Sequence, residues 1–218
     1  MHVVTAIEIL EDLTESTVPP AERFLNVKRL RAQNLRADGT RSVEYRIDVV
    51  DRPGLDAVAL LLYRRGPRGL EVLTRRNLRP AAYFRTGKAS AFGRETGRLE
   101  VEEIVAGVLE STDVGEEGVI ARAVAEAREE AGVMLRADQV RMLGGPFFVA
   151  PGIISEQIFL CCADCTDAGS VTPTTDGSPL EEGGALRWWS AHGLLDACRR
   201  GDVRDAKTEL ALTRLLYP

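Results

Sequence analysis

The stretch Glu117-Gly118-Val119-Ile120-Ala121-Arg122-Ala123-Val124-Ala125-Glu126-Ala127-Arg128-Glu129-Glu130-Ala131-Gly132 carries the densest pattern in the chain. Ile120, Ala123, Val124, Ala127 and Ala131 recur at spacings of three and four, which predicts a helix packed by that face. Gly132 is its natural C-terminal stop. At the helical rotation per residue, Glu126 and Glu130 fall one turn apart on one stripe, with Glu129 beside them and the apolar face elsewhere. Carboxylates gathered in this way repel, so the arrangement is unfavourable unless a cation sits over it. Mg²⁺, which accepts carboxylate oxygens, water and substrate phosphates, is the natural candidate. Taken alone, an E-x-x-E-E of this kind is far better explained as the solvated face of an amphipathic helix, so its surroundings have to decide.

Upstream, Asp51-Arg52-Pro53-Gly54 breaks the chain before Ala57-Val58-Ala59-Leu60-Leu61-Leu62-Tyr63, a continuous apolar run suited to a buried central strand. A turn over residues 66–69 leads to a returning strand at 70–74. Residues 84–98, rich in Gly, Ser, Thr and Arg, read as a surface loop able to close over a ligand. Residues 103–109 read as a strand, as do 140–149, 154–162 and 185–190, with a long polar loop over 166–184. A closing helical stretch contains Leu194-Leu195 and residues 210–216. Strands interleaved with few helices predict a mixed α/β (α+β) sandwich and not a doubly wound sheet. Ahead of it, residues 24–50 alternate apolar and polar around Asp38-Gly39, a hairpin signature. The first twenty residues show no partner pattern and read as an arm. The expected division is a β-rich element at 1–52 and a main domain at 53–218.

Composition narrows the function classes. Acidic residues outnumber basic ones, 33 to 28, for a net charge of -5, and no stretch is dominated by Lys and Arg, so nucleic acid is not the expected partner. No apolar run is long enough to cross a bilayer, and the N-terminus lacks the order of a secretory signal, which predicts a cytoplasmic protein without a membrane partner. Cys162 and Cys165 form a C-x-x-C, but with only His2 and His192 available the four cysteines read as buried reduced thiols rather than a zinc site.

Ala106-Gly107-Val108-Leu109-Glu110, the following Gly115-Glu116-Glu117 and then Glu126-Ala127-Arg128-Glu129-Glu130-Ala131-Gly132-Val133 together resemble the Nudix box. That box has the form G-x5-E-x7-R-E-U-x-E-E-x-G-U and is a loop-helix-loop that binds divalent metal on a diphosphate. Here residues 111–114 extend the leading loop, and Ala125 stands at the box arginine, which in the family orients the catalytic glutamates. Arg128 lies roughly 200° around the helix from Glu126 and should not reach it. Arg122, four residues before Glu126, has a spacing that permits an ion pair and is expected to take the orienting role.

The likeness runs beyond the box and is greatest to ADP-ribose pyrophosphatases. That branch has a small N-terminal β element with a D-G turn, exchanged between two subunits, which implies a homodimer built through the Asp38-Gly39 region. Val72-Leu73-Thr74-Arg75-Arg76-Asn77-Leu78-Arg79 is similar to the branch's strand ending in a ligand-contacting arginine. Ala150-Pro151-Gly152-Ile153-Ile154-Ser155-Glu156 resembles its S-P-G-x-x-x-E segment, and Gly201-Asp202-Val203-Arg204-Asp205-Ala206-Lys207-Thr208 its closing G-x-I-x-D-x-x-T.

The resemblance implies an α/β/α sandwich that hydrolyses ADP-ribose or a related nucleoside diphosphate sugar with Mg²⁺, or Mn²⁺ in its place. It implies metal ligation by Glu126, Glu130 and the Ala106 carbonyl. Glu182, from the loop Leu180-Glu181-Glu182-Gly183-Gly184, becomes the base, with Glu129 and Arg122 as its catalytic companions. Gly184 falls on a second acidic position of that loop. Arg79, Arg75 and Glu156 make up the substrate contacts; strand alternation forbids Arg75 and Arg76 from both pointing inward, so Arg79 is the principal one. The competing expectations are a Nudix-fold protein that binds such a ligand without efficient turnover, and a Nudix enzyme for another nucleoside diphosphate derivative.

Overall fold

The computed structural model describes residues 4–12, 25–52, 54–67, 69–94, 96–174 and 184–218. The chain divides into two units, Met1–Leu55 with Phe148–Gln157, and Asp56–Phe147 with Ile158–Pro218.

In the first unit, β1 (Val4–Asp12), β2 (Asn26–Arg36) and β3 (Tyr45–Asp51) form an antiparallel sheet in that order. The turn between β2 and β3 is built by Gly39, at φ 79°, and by the Asp38 carboxylate, which accepts from the Thr40 N–H at 3.0 Å. The expected partnerless arm is corrected here, since residues 4–12 pair with β2. Charge holds that strand: Glu8 accepts from Gln33 and Arg41, and Glu11 accepts from Arg31, which also bonds Glu44. Cross-strand pairs of this kind leave no trace in a hydropathy pattern. Residues 148–157 join the same unit through the Val50 N–H, which donates to the Ile153 carbonyl at 2.7 Å.

Along the rest of the chain come β4 (Ala57–Gly66), β5 (Gly69–Leu78), α1 (Pro80–Tyr83), β6 (Ala89–Ser90), β7 (Gly93–Arg94), β8 (Glu100–Glu103), β9 (Val105–Val108) and α2 (Gly115–Ala131). They are followed by β10 (Val133–Met134), β11 (Val140–Met142), β12 (Phe147–Phe148), β13 (Gln157–Asp164), β14 (Gly169–Ser170), β15 (Leu186–Ser190), α3 (Ala191–Arg200) and α4 (Ala206–Leu216). The main sheet runs β11-β13-β4-β5-β15, with β13 parallel to β4 and the other neighbours antiparallel.

The β4–β5 hairpin stays paired only near its turn, from Tyr63↔Val72 to Gly66↔Gly69. Beyond that the two strands part, β9 pairing with β4 and β8 with β5. The strand expected at 103–109 is therefore two strands. Ile104, between them, donates its N–H to Thr208 Oγ1 at 3.0 Å and not to a ladder neighbour.

Alternation along β4 builds the layers. Ala57, Ala59 and Leu61 pack with α3 and α4, while Val58, Leu60 and Leu62 pack with α2. The result is an α/β/α sandwich whose central strand is buried on both faces. The packed face of α2 is Val119, Ala123, Ala127 and Ala131. Val119, four residues before Ala123, joins the expected face, and the expected Ile120 and Val124 pack against the same core partly buried. The closing helical stretch is two helices, separated where Gly201 turns left-handed at φ 76° and Asp205 caps α4 by accepting from the Thr208 N–H at 3.0 Å.

All four cysteines are free and buried. Cys162 packs on the α3/α4 side of the sheet and Cys165 on the α2 side, so the C-x-x-C gathers no metal pair. Among the described residues, no helix is long and apolar enough to cross a membrane.

Candidate active site

The splaying of β4 from β5 exposes Ala106-Gly107 on β9 to the last turns of α2. Ala127 and Ala131 anchor that end of the helix in the core, and Gly132 ends it at φ 66° with its N–H bonded back to the Arg128 carbonyl. Glu126 and Glu130, one turn apart, are thereby aimed at β9. Glu130 Oε2 accepts from the Ala106 N–H at 3.1 Å. A Cβ on Gly107 would overlap the Glu126 carboxylate, so this position has room for that group only because it is glycine.

Glu130 Oε1 accepts from Arg75 Nη1 at 2.7 Å. Arg75, expected to reach substrate phosphates, is turned inward from β5 and is 2% exposed, against 48% for Arg76. Its guanidinium also lies against Gly184, where a Cβ would stand 2.8 Å from Cζ. Glycine at an expected acidic position thus makes space for the cation that steadies Glu130.

The expected Arg122–Glu126 pair is corrected. Arg122 Nε donates to Asp113 at 2.9 Å and its Nη2 lies 2.8 Å from Glu110. The extended loop before α2 folds back over the helix start and supplies acids that helical spacing does not count. Burial lowers the Arg122 pKa, but Asp113 and Glu110 outweigh it and raise it above its usual value. The Glu110 backbone N–H, opposed by burial and aided by Arg122, holds the Asp113 carboxyl below the ordinary range. Arg122 secures the loop, and Arg75 holds a helix glutamate.

Arg79 donates from Nε to Glu103 Oε1 at 2.7 Å, with its own side chain 44% exposed and Glu103 2% exposed. Among the described residues its partner is bound through Nε alone. Glu103 also accepts from Asn77 Nδ2 at 3.3 Å and from Lys207 Nζ at 3.0 Å, and Lys207 in turn reaches Asp205 at 2.7 Å. Burial would lower the Lys207 pKa; Asp205 and Glu103 reverse this and raise it. Sequence reasoning missed Glu103, Asn77 and Lys207. The only signal for Lys207 was its place inside the segment resembling G-x-I-x-D-x-x-T.

Glu129 and Arg128 are exposed on α2. Glu156 belongs to the first unit, just after the turn closed by the Ile153 and Ile154 N–H groups on the Ala150 carbonyl. Glu182 lies outside the described residues.

Among the described residues no group of three or more His, Cys, Asp or Glu side chains could hold a metal ion. Mg²⁺, however, is commonly held by one or two carboxylates, with water and substrate phosphates completing its shell. Two glutamates over the Ala106-Gly107 backbone supply hard oxygens of that kind, and a carboxylate oxygen that accepts one hydrogen bond keeps a further lone pair.

Splayed central hairpin, box-like helix and three layers define a Nudix-type α/β/α sandwich. Among solved structures the chain is similar to the crystal structure of an ADP compounds hydrolase, with a TM-score of 0.65 and 15% identity over 98% of this chain and 94% of that one. No family model matches the sequence, and no curated protein does either.

Proposed function

We propose that the chain is a metal-dependent hydrolase of the pyrophosphate in ADP-ribose or a related nucleoside diphosphate sugar, releasing a nucleoside monophosphate and a sugar phosphate. One observation carries this reading: Glu126 and Glu130 converge on the Ala106-Gly107 backbone, and Gly107 leaves the space their carboxylates need. The substrate class is supported by the resemblance of the segments around Arg79, Glu156 and Thr208, and by the fold shared with an ADP compounds hydrolase.

In this reading Glu126, Glu130 and the Ala106 carbonyl would hold Mg²⁺ or Mn²⁺, with Glu129 assisting, and the bound ion would supply charge neutralisation at the phosphate oxygens. Arg79, fixed at Nε by Glu103, offers its outer nitrogens to a phosphate as a two-pronged donor. Arg75 fixes Glu130, the task expected of Arg122. A water oxygen bonds to one phosphorus, the bridging oxygen leaves with the other phosphate, and the carboxylate of Glu182 takes the water's proton. The protein works in the cytoplasm as a homodimer.

A second reading, ligand binding without efficient turnover, is favoured by the hydrogen bonds that each oxygen of Glu130 already accepts, from Arg75 and from Ala106, which leave it fewer lone pairs for a metal. A panel of nucleotide sugars, dinucleotides and nucleoside triphosphates with Mg²⁺ or Mn²⁺ separates the two. Release of phosphomonoester, abolished in Glu126→Gln, supports the hydrolase. Ligand binding with no product supports the second reading.

A further inference from the structure

The loop between α1 and β8, together with the approach to α4, borders an open cleft of about 720 Å³ whose lining includes Ser90, Phe92, Arg94, Thr96, Arg98 and Arg204. That volume falls within the range of small-molecule sites. No carboxylate is among the described lining residues, in a chain where acids outnumber bases.

Arg94 Nη1 donates to the Gly87 carbonyl at 2.8 Å and Arg98 Nη1 to the Asp202 carbonyl at 3.0 Å. Neither arginine makes an ion pair among the described residues. A single backbone hydrogen bond restrains each guanidinium without neutralising it, leaving most of its donors for an anion. Phe92, on the same lining, is fully exposed at 102%. An uncovered aromatic face beside guanidinium groups that have no ion pair among the described residues suits a flat, π-faced group carrying a phosphate. The wall is fixed: a Cβ on Gly97 would overlap the Tyr83 carbonyl and Thr86 Oγ1, so this backbone lies directly against the end of α1.

We infer that this cleft binds a nucleoside monophosphate, with its phosphate on Arg94 and Arg98 and its base against Phe92. No lining residue belongs to α2 or β9, so the site stands or falls independently of the glutamates.

Calorimetric titration of the full chain with AMP in EDTA tests it, with inorganic phosphate as the comparison probe. AMP binds without metal and equally well to Glu126→Gln. The pair Arg94→Ala with Arg98→Ala weakens AMP by at least about tenfold, whereas the same positions changed to Lys retain binding. Phe92→Ala, at an exposed position, weakens AMP and leaves phosphate unaffected. The inference is overturned if AMP gives no binding heat at millimolar concentration, if the double Ala variant binds as the parent does, if Glu126→Gln loses the binding, or if Phe92→Ala has no effect.

Discussion

Replacing Arg75 by Met removes the cation from Glu130 while roughly keeping the buried volume. The pair is closely made, Nη1 to Oε1 at 2.7 Å, and shielded, with the side chains 2% and 11% exposed. With charge centres about 4 Å apart and an effective dielectric near 20, the gross attraction is about 4 kcal/mol. Breaking one partner of a buried pair typically costs about 3–5 kcal/mol, because the other charge is left uncompensated. For a chain of this size the expected fall in Tm is on the order of 10 °C. Thermal unfolding followed by circular dichroism measures it. Adding Glu130→Gln to Arg75→Met should recover part of the loss, since the stranded charge is gone, giving a coupling of at least about 1 kcal/mol. A single-variant shift below about 2 °C, or two strictly additive effects, would refute the claim that Arg75 steadies Glu130.

Gly107→Ala pushes the flexible Glu126 carboxylate aside rather than strained backbone. It should leave Tm nearly unchanged while lowering turnover of the preferred nucleotide sugar about 10²-fold; equal loss of both would contradict this. Burial raises the Glu102 pKa, but hydrogen bonds from Thr74, Trp189 Nε1 and Arg76 lower it further, so it lies below the ordinary value of a glutamate. Its stabilising contribution is therefore intact above that value and is lost as pH falls through the folded pKa. Tryptophan emission should stay flat down to about pH 5 and titrate only below it, a transition that Glu102→Gln removes. Burial pushes Cys161 to about 12 and Cys165 and Cys198 to about 11, and raises Cys162 as well. Ellman's reagent should thus react promptly with no thiol of the native chain near neutral pH and with all four after unfolding.

What could be read in advance follows the range of each interaction. The α2 helix, its glutamate stripe and the doubly covered β4 were legible because periodicity and apolar runs are local signals. The Arg75–Glu130 pair spans 55 residues and the Lys207–Glu103 pair 104, distances over which a single sequence carries no spacing rule. Arg122 misled because intrahelical spacing ignores acids in a loop that folds back, here Glu110 and Asp113. β1 was missed because Glu8 and Glu11 hold it through charge. The break at Ile104 was invisible because Thr208, which receives its N–H, is supplied by a distant helix.

Mn²⁺ titration followed by electron paramagnetic resonance, on the parent chain and on Glu126→Gln and Glu130→Gln with ADP-ribose present, tests the central claim most directly. The account predicts saturable uptake by the parent, weakened at least about tenfold in each variant. Uptake that is absent from the parent, or identical in all three proteins, would contradict it.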